Sequence, residues 1–308
     1  MIMPAQASDQ RLIWRENLRT FRVAAWLGWQ IEGNWADPIA FLIFTILRPM
    51  ATALILLVMY TVIAGNQRGT FFSYLYLSNA FFVMVINTMA GMAWAILDDR
   101  EQYKMLKYVF TSPARRFAYL LGRAVAKFLL GLLTTLVLLI TGAFFLGLPL
   151  PLDRVEWGPL AAYFVLGLVI MASFGIILAG VALMVARNAG SIGEVVAGML
   201  LVFSSAYFPP DILPPGLQQI ALVMPITYWL EGMRRAVTGG ILQATFTTPG
   251  GGTYTGPLSP LLAGFSDASL LGLLVAWAAV SLVLAYFLYG RLEHRAKERG
   301  MIDRLTGY

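Results

Sequence analysis

Apolar residues in this chain fall in runs long enough to cross a bilayer, and charged residues gather mainly in the segments between them. A helical span needs about 20 predominantly apolar residues to cover about 30 Å of hydrocarbon. Residues 40–63, 71–97, 128–148, 160–185 and 270–289 reach that length. Residues 195–208 number only 14, about 21 Å of helix at 1.5 Å each, and become just sufficient if the helix starts at Ser191. Residues 209–233 are again apolar but are broken by Pro209, Pro210, Pro214, Pro215 and Pro225.

The cations decide whether that broken stretch crosses, because Lys and Arg accumulate on the cytoplasmic side. With six spans and both termini inside, 17 cations are cytoplasmic: Arg11, Arg15, Arg19, Arg22, seven within 98–127, Arg187 and five within 291–308. Only Arg68, Arg154, Arg234 and Arg235 lie outside, with Arg48 inside the first span beside Pro49. A seventh crossing would put Arg291, Arg295, Lys297 and Arg299 outside, against the bias. The pattern therefore predicts an all-α membrane protein of six transmembrane helices, with 209–243 as an external re-entrant hairpin. Irregular backbone is tolerated at that depth only against protein or water. Residues 245–267, containing Pro249-Gly-Gly-Gly-Thr253, read as an external loop, either mobile in solvent or touching substrate.

Two further segments are amphipathic. In a helix over 10–36, Arg11, Arg15, Arg19 and Arg22 fall within a sector of roughly 80°, and Trp14, Leu18, Phe21 and Ala25 within an adjacent one of roughly 60°. That arrangement suits an interface helix lying in the headgroups, or a terminal helix packed on the protein. Over 98–112, Asp98 and Asp99 can cap a helix N-terminus, and Pro113 disfavours helix at the residue before it. Arg100, Lys104, Lys107 and Thr111 then share one face, opposite Tyr103, Leu106, Val109 and Phe110. This two-faced helix is too short and too charged to span. It is a surface helix or a dock for another protein.

Composition narrows the chemistry. Of 308 residues, 59% are apolar and 12% charged, at mean hydropathy +0.73, whereas soluble domains run about 45–50% and about 25%. This excludes a disordered chain and argues against a soluble globular enzyme. The absence of cysteine excludes disulfides, thiolate metal sites and Cys nucleophiles. The single histidine, His294, excludes His-rich metal sites and most triads. No metal site and no catalytic residue is expected. The net charge of +6 lies along the spans' inner ends, which points to the lipid bilayer and not to nucleic acid. The first 20 residues lack an apolar core of signal-peptide length, so no cleaved leader is expected. No G-x-x-x-x-G-K-[ST] loop is present to cradle a nucleotide. If transport is ATP-driven, ATP and magnesium belong on another chain.

Two motifs carry a family resemblance. The segment from Asp99 to Pro113 (DREQYKMLKYVFTSP), followed by Ala114-Arg-Arg116, resembles the cytoplasmic signature of type-2 ABC transporter permeases. Phe208-Pro-Pro-Asp-Ile-Leu-Pro214 with Pro225, Thr227-Tyr228, Glu231 and Arg234 is similar to the pattern that follows that family's fifth span. The resemblance implies a single permease domain over 1–308, in a prokaryotic cell membrane, paired with a second copy or paralogue and with two cytoplasmic ABC ATPase subunits. It implies export of a lipophilic or amphipathic substrate, a drug-like compound or a lipid, the alternative within the family being a polysaccharide or lipid-linked glycan. Residues 98–112 become the coupling helix, with Asp98, Asp99, Glu101, Lys104, Leu106, Lys107 and Phe110 facing the ATPase or the permease's own helix ends. Lys107 stands where the family often carries Glu, so the charge toward the ATPase is reversed. The hairpin residues Pro209, Pro214, Pro225, Tyr228, Glu231 and Arg234 would close the outer end.

Individual residues leave alternatives open. Arg48 snorkels to the inner headgroups or lines a pathway, since an intramembrane charge must find a partner or water. Glu194 reads as a carboxylate at the inner mouth of span five. Glu231, Arg234 and Arg235 stand at spacings that permit local ion pairs. An ion-coupled secondary transporter is the rival reading. It would need Asp, Glu or His within the spans, and their midsections hold none.

Overall fold

The computed structural model describes residues 5–33, 39, 43–64, 70–112, 115–185, 189–247 and 253–301. The chain opens with α1 (Ala5–Gly33); later a π-helical turn, Ile43–Leu47, runs directly into α2 (Arg48–Ala64). Next come α3 (Thr70–Leu97), a second π-helical turn over Asp98–Gln102, and the short α4 (Leu106–Thr111). Long helices α5 (Arg116–Phe145) and α6 (Trp157–Met184) precede the shorter α7 (Ala189–Phe203). A 3-10 turn at Pro210–Ile212 leads to α8 (Pro215–Val223) and α9 (Pro225–Thr238). The ribbon β1 (Gln243–Thr247) and β2 (Thr253–Pro257), the turn of helix α10 (Pro260–Ala263) and α11 (Asp267–Glu298) complete the fold.

Among the described residues, four stretches are long and apolar enough to cross a membrane: Thr70–Gln102, Arg116–Phe145, Trp157–Met184 and Asp267–Glu298. The hub is α3, buried along most of its length and packed on α2, α5, α6, α7 and α9. Lipid gives apolar helices no hydrophobic reason to associate, so close contact at small residues supplies the packing. A Cβ on Gly193 of α7 would stand 2.8 Å from the Ala90 Cα of α3, which only a glycine permits. At the crossing of α1 and α5, a Cβ on Gly122 would meet the Phe21 carbonyl oxygen at 2.6 Å. The inward face of α1 is accordingly small (Ala24, Gly28), while Trp14, Val23 and Trp26 point outward and are exposed.

Several expectations are corrected. The third apolar run begins its helix at Arg116, twelve residues before the start at 128 read from hydropathy. Arg123 and Lys127, counted as loop cations, are buried on α5 because Asp99 and Glu32 neutralise them. The single helix expected over 98–112 is two pieces. Asp98 and Asp99 do not cap a new helix but continue α3. Their carbonyls accept the Tyr103 N–H at 2.8 Å and the Met105 N–H at 2.9 Å, and Lys104 turns into the left-handed region at φ 51° before α4 begins. The loop expected over 245–267 is partly ordered: β1 and β2 pair antiparallel from Gln243↔Pro257 to Thr247↔Thr253. Their alternating Thr, Phe and Tyr residues favour a pleated strand. Residues 34–36 of the expected interface helix, Pro113, and Arg187 lie outside the described residues.

Gly122→Leu should detach α1 from α5, since the collision is with backbone and cannot be relieved by a rotamer. Overpacking costs about 1–3 kcal/mol. We expect faster proteolysis within 5–33 and a lower unfolding temperature in detergent; unchanged values would show that α1 is not held there.

Candidate functional site

Stripes from four helices enclose a cavity of about 650 Å³. Residues three, four and seven apart share one helix face, and the lining follows that rule. Lys127, Leu130 and Thr134 come from α5; Glu194, Ala197, Gly198 and Leu201 from α7; Arg48, Pro49 and Thr52 from α2. The α3 stripe runs from Asn79 to Trp94, a rise of about 22 Å along the helix. Glu32, near the end of α1, forms an ion pair with Lys127 at the Trp94 end of the trough. The midsection is apolar, with Phe82, Val83 and Ile86, and Asn79 stands at its far end. Arg48 and Glu194 both line the cavity, and neither has an ion-pair partner among the described residues. Arg48 stands at the start of α2 on this cavity and is exposed.

Beyond the Trp94 end, α3 terminates in a buried polar knot. Asp99 is fully buried; its carboxylate accepts hydrogen bonds from the Arg123 guanidinium at 3.1 Å and the Tyr119 hydroxyl at 2.7 Å. Arg100, also buried, bonds Glu101 at 2.9 Å. Leu106 is 2% exposed and packs in the core with Tyr119, Leu120 and Ile96. The Phe110 ring lies between two cations, the Arg116 guanidinium and the Lys297 ammonium, each 5.2 Å from its centroid. Glu293 of α11 pairs with both, at 2.6 Å to Lys297. The exposed side of this element carries Tyr103, Lys104, Lys107 and Tyr108, with the Lys107 ammonium 5.1 Å from the Tyr108 ring.

At the opposite end of α3, α9 is buried on every face although its sequence is amphipathic. Its buried polar atoms find partners on α9 and on neighbouring elements, except the Arg234 Nε, which has none among the described residues. Glu231 pairs with Arg234 at 2.7 Å and with Arg235 at 2.9 Å. Arg234 stacks on Tyr74 of α3 at 4.2 Å and donates to the Ser78 hydroxyl at 2.7 Å and the Ser205 carbonyl at 3.2 Å. Ser205 is held at φ 66°, a conformation costly for a residue with a Cβ. Arg235 donates to the Leu262 and Phe265 carbonyls and to Asp267, tying α9 to the start of α11. Tyr228 donates to the Leu222 carbonyl at 2.6 Å, across the break that Pro225 makes between α8 and α9. Pro209 immediately precedes the 3-10 turn and Pro214 stands before α8. Burial would raise the Glu231 carboxyl, but the two arginines outweigh it and hold it below the usual glutamate range.

The family model for ABC-2 type transporters matches residues 12–237. The chain belongs to the ABC-2 type transporter family. It is a membrane permease that hydrolyses no ATP itself, and permeases of this family generally work with separate ATPase subunits. No match to an individual curated protein is found.

In this permease the expected coupling residues separate into two groups. Asp99, Leu106 and most of Phe110 face the permease's own helices, because the knot and the core below α4 take them up. Lys104 and Lys107 remain outward, Asp98 is half-buried, and Glu101 bonds Arg100. Hydropathy reading missed Tyr103 and Tyr108, which it assigned to or left off the apolar face. It also missed the reach of α11 to Phe110. The helical spacing of Asn79, Asn87 and Trp94 within an apolar span was a legible sign of the trough.

Glu231→Gln should lower the permease's stability at neutral pH by about 3–5 kcal/mol, the usual cost of removing one partner from a buried ion pair. The stabilisation is fully present above the ordinary glutamate range, about 4.3. It is lost as pH falls through the depressed value, so the difference from wild type should narrow in acid unfolding. Separately, a spin label on Thr111→Cys, placed in this cysteine-free chain, should gain mobility with Lys297→Ala and stay restrained with Lys297→Arg. Equal spectra would remove α11 from the support of α4.

Proposed function

We propose that this chain is the membrane half of an ABC exporter with six spans and both termini in the cytoplasm, working as a pair of permeases with two ATPase subunits. The observation that carries the reading is the proximity of α3 to both: one face lines the trough, and the turn and α4 that follow its end carry the outward Tyr103–Lys104–Lys107–Tyr108 surface. The buried Asp99 knot thus joins a substrate-sized cavity to a docking surface. The basic residues support the orientation, since exposed Arg291, Arg295, Lys297 and Arg299 cluster at the C-terminal end of α11 while α8 and α9 hold few cations. The 210–238 segment is too broken to span and is read as the external hairpin, its cations spent on the internal clamp.

The trough suits an amphipathic substrate, long and apolar in its midsection with polar groups at intervals. Among exporters of this kind a lipid or drug-like amphiphile fits better than a polysaccharide, because Phe82, Val83 and Ile86 offer no hydrogen bonds to a hydroxyl-rich chain. ATP and magnesium are bound by the partner.

Interfaces draw most of their energy from a few packed aromatic anchors, while rim charges tune encounter. Tyr108 is 66% exposed and is the natural anchor. Tyr108→Ala, or Lys104→Glu with Lys107→Glu, should reduce co-purification of the ATPase subunit and abolish transport with folded yield intact. Leu106→Asp should instead lower folded yield, because it buries an unpaired carboxylate in the permease. Full association in the first two variants would overturn the assignment. For orientation, a cysteine at Glu298 should react only from the cytoplasm and one at Gln219 only from outside.

A further inference from the structure

The charges on the trough identify its ligand more narrowly than its apolar wall does, on the assumption that it is the transport pathway. Four charged side chains line it, and Glu32 and Lys127 neutralise each other. Arg48 and Glu194 remain, with no ion-pair partner among the described residues. They stand at different depths. Glu194 follows Gly193, whose Cβ position would touch Ala90 toward the Asp98 end of α3. Two residues beyond Arg48, the Met50 sulfur is 4.0 Å from the Thr141 hydroxyl. Thr141 lies ten residues further along α5 than Gly131, which meets α3 at Met84. Arg48 is therefore the deeper charge.

The neighbouring polar groups do not satisfy either one. Thr52 and Thr134 donate to carbonyls of their own helices, and the Asn87 amide donates to the Val83 carbonyl. A net anion would meet Arg48 but be opposed by Glu194 at the shallower level, and a net cation would suffer the reverse. We propose that the trough takes a bipolar zwitterion, with an acidic oxygen group on Arg48, an ammonium group at Glu194 and an apolar chain along the α3 stripe between them.

The test uses the full chain in nanodiscs of fixed composition. Nothing lies within 4 Å of a Cβ built on Gly198, so Gly198→Cys can carry an environment-sensitive fluorophore in the trough of this cysteine-free protein. 16-(Trimethylammonio)hexadecyl phosphate, hexadecyl phosphate and hexadecyltrimethylammonium, which share one chain length, are titrated in turn. A charge-assisted contact strengthens binding, so the zwitterion should half-saturate at about a tenfold lower concentration than either rival. Arg48→Gln should remove its advantage over the cation, and Glu194→Gln its advantage over the anion. Equal binding of all three, or tightest binding of a singly charged one, overturns the inference while leaving the trough a pathway. No response to any amphiphile overturns the pathway reading as well. If Arg48 instead pairs with Glu194 of a second copy, Arg48→Glu will change the oligomeric state and adding Glu194→Arg will restore it. That result also overturns the proposal.

Discussion

Everything in this permease hangs on a helix whose two ends are pinned by buried guanidinium groups. At one end of α3, Arg123 and Tyr119 hold the fully buried Asp99; at the other, Arg234 stacks on Tyr74 and bonds Ser78. A charge in so apolar a setting is destabilising unless its partner is also present. Each pin therefore brings a second element with it: α5 carries Arg123 and Tyr119, and α9 carries Arg234 with Glu231. The central helix is fixed in rotation and in depth by two polar contacts that tolerate no sliding, whereas apolar packing alone would permit several registers.

That fixing determines what the two faces of α3 do. One face meets α5, α6 and α7 where glycines allow backbone contact, and the face left over borders the trough. Had α3 rotated by one residue, about 100°, Asn79, Asn87 and Trp94 would turn into the packed interior, where an unpaired amide is costly. The polar pins, the glycine contacts and the cavity lining thus demand the same orientation. Agreement among independent local preferences is what gives a sequence one structure.

Much of this was legible in the sequence, and the illegible part has a common cause. Hydropathy located the long apolar helices, the proline-broken segment and the i to i+3 and i+4 spacing of Glu231 with its two arginines. It misplaced charges that are buried with partners distant in sequence. Arg123 and Lys127 read as loop cations because nothing local reveals Asp99 or Glu32 beside them. The same blindness made Asp98 and Asp99 into a helix cap, when the pairing of Asp99 with α5 carries them onto the end of α3. Leu106 was legible as apolar but not as to which partner it faces, since an apolar stripe packs equally well on its own chain or another's. The pairing of Gln243–Thr247 with Thr253–Pro257 was hidden because the Pro249-Gly-Gly-Gly run in the sequence reads as a loop.

The geometry also explains how an event at α4 can reach the trough. Between them lie the left-handed Lys104, the carbonyl bonds to Asp98 and Asp99, and the Asp99 knot, with no stretch of free backbone. Phe110 adds a second tie, through Arg116 to α5 and through Glu293 and Lys297 to α11. Movement of α4 must either break these contacts, which are buried and charge-assisted, or carry α3 and α5 along. Breaking them would leave Asp99 without a counter-charge in the core, so displacement of the helices is the easier response. Lys127 rides on α5, four residues beyond Arg123, and its pair with Glu32 sits at the Trp94 end of the trough. A shift of α5 therefore disturbs that pair together with Leu130 and Thr134, which line the cavity from the same helix.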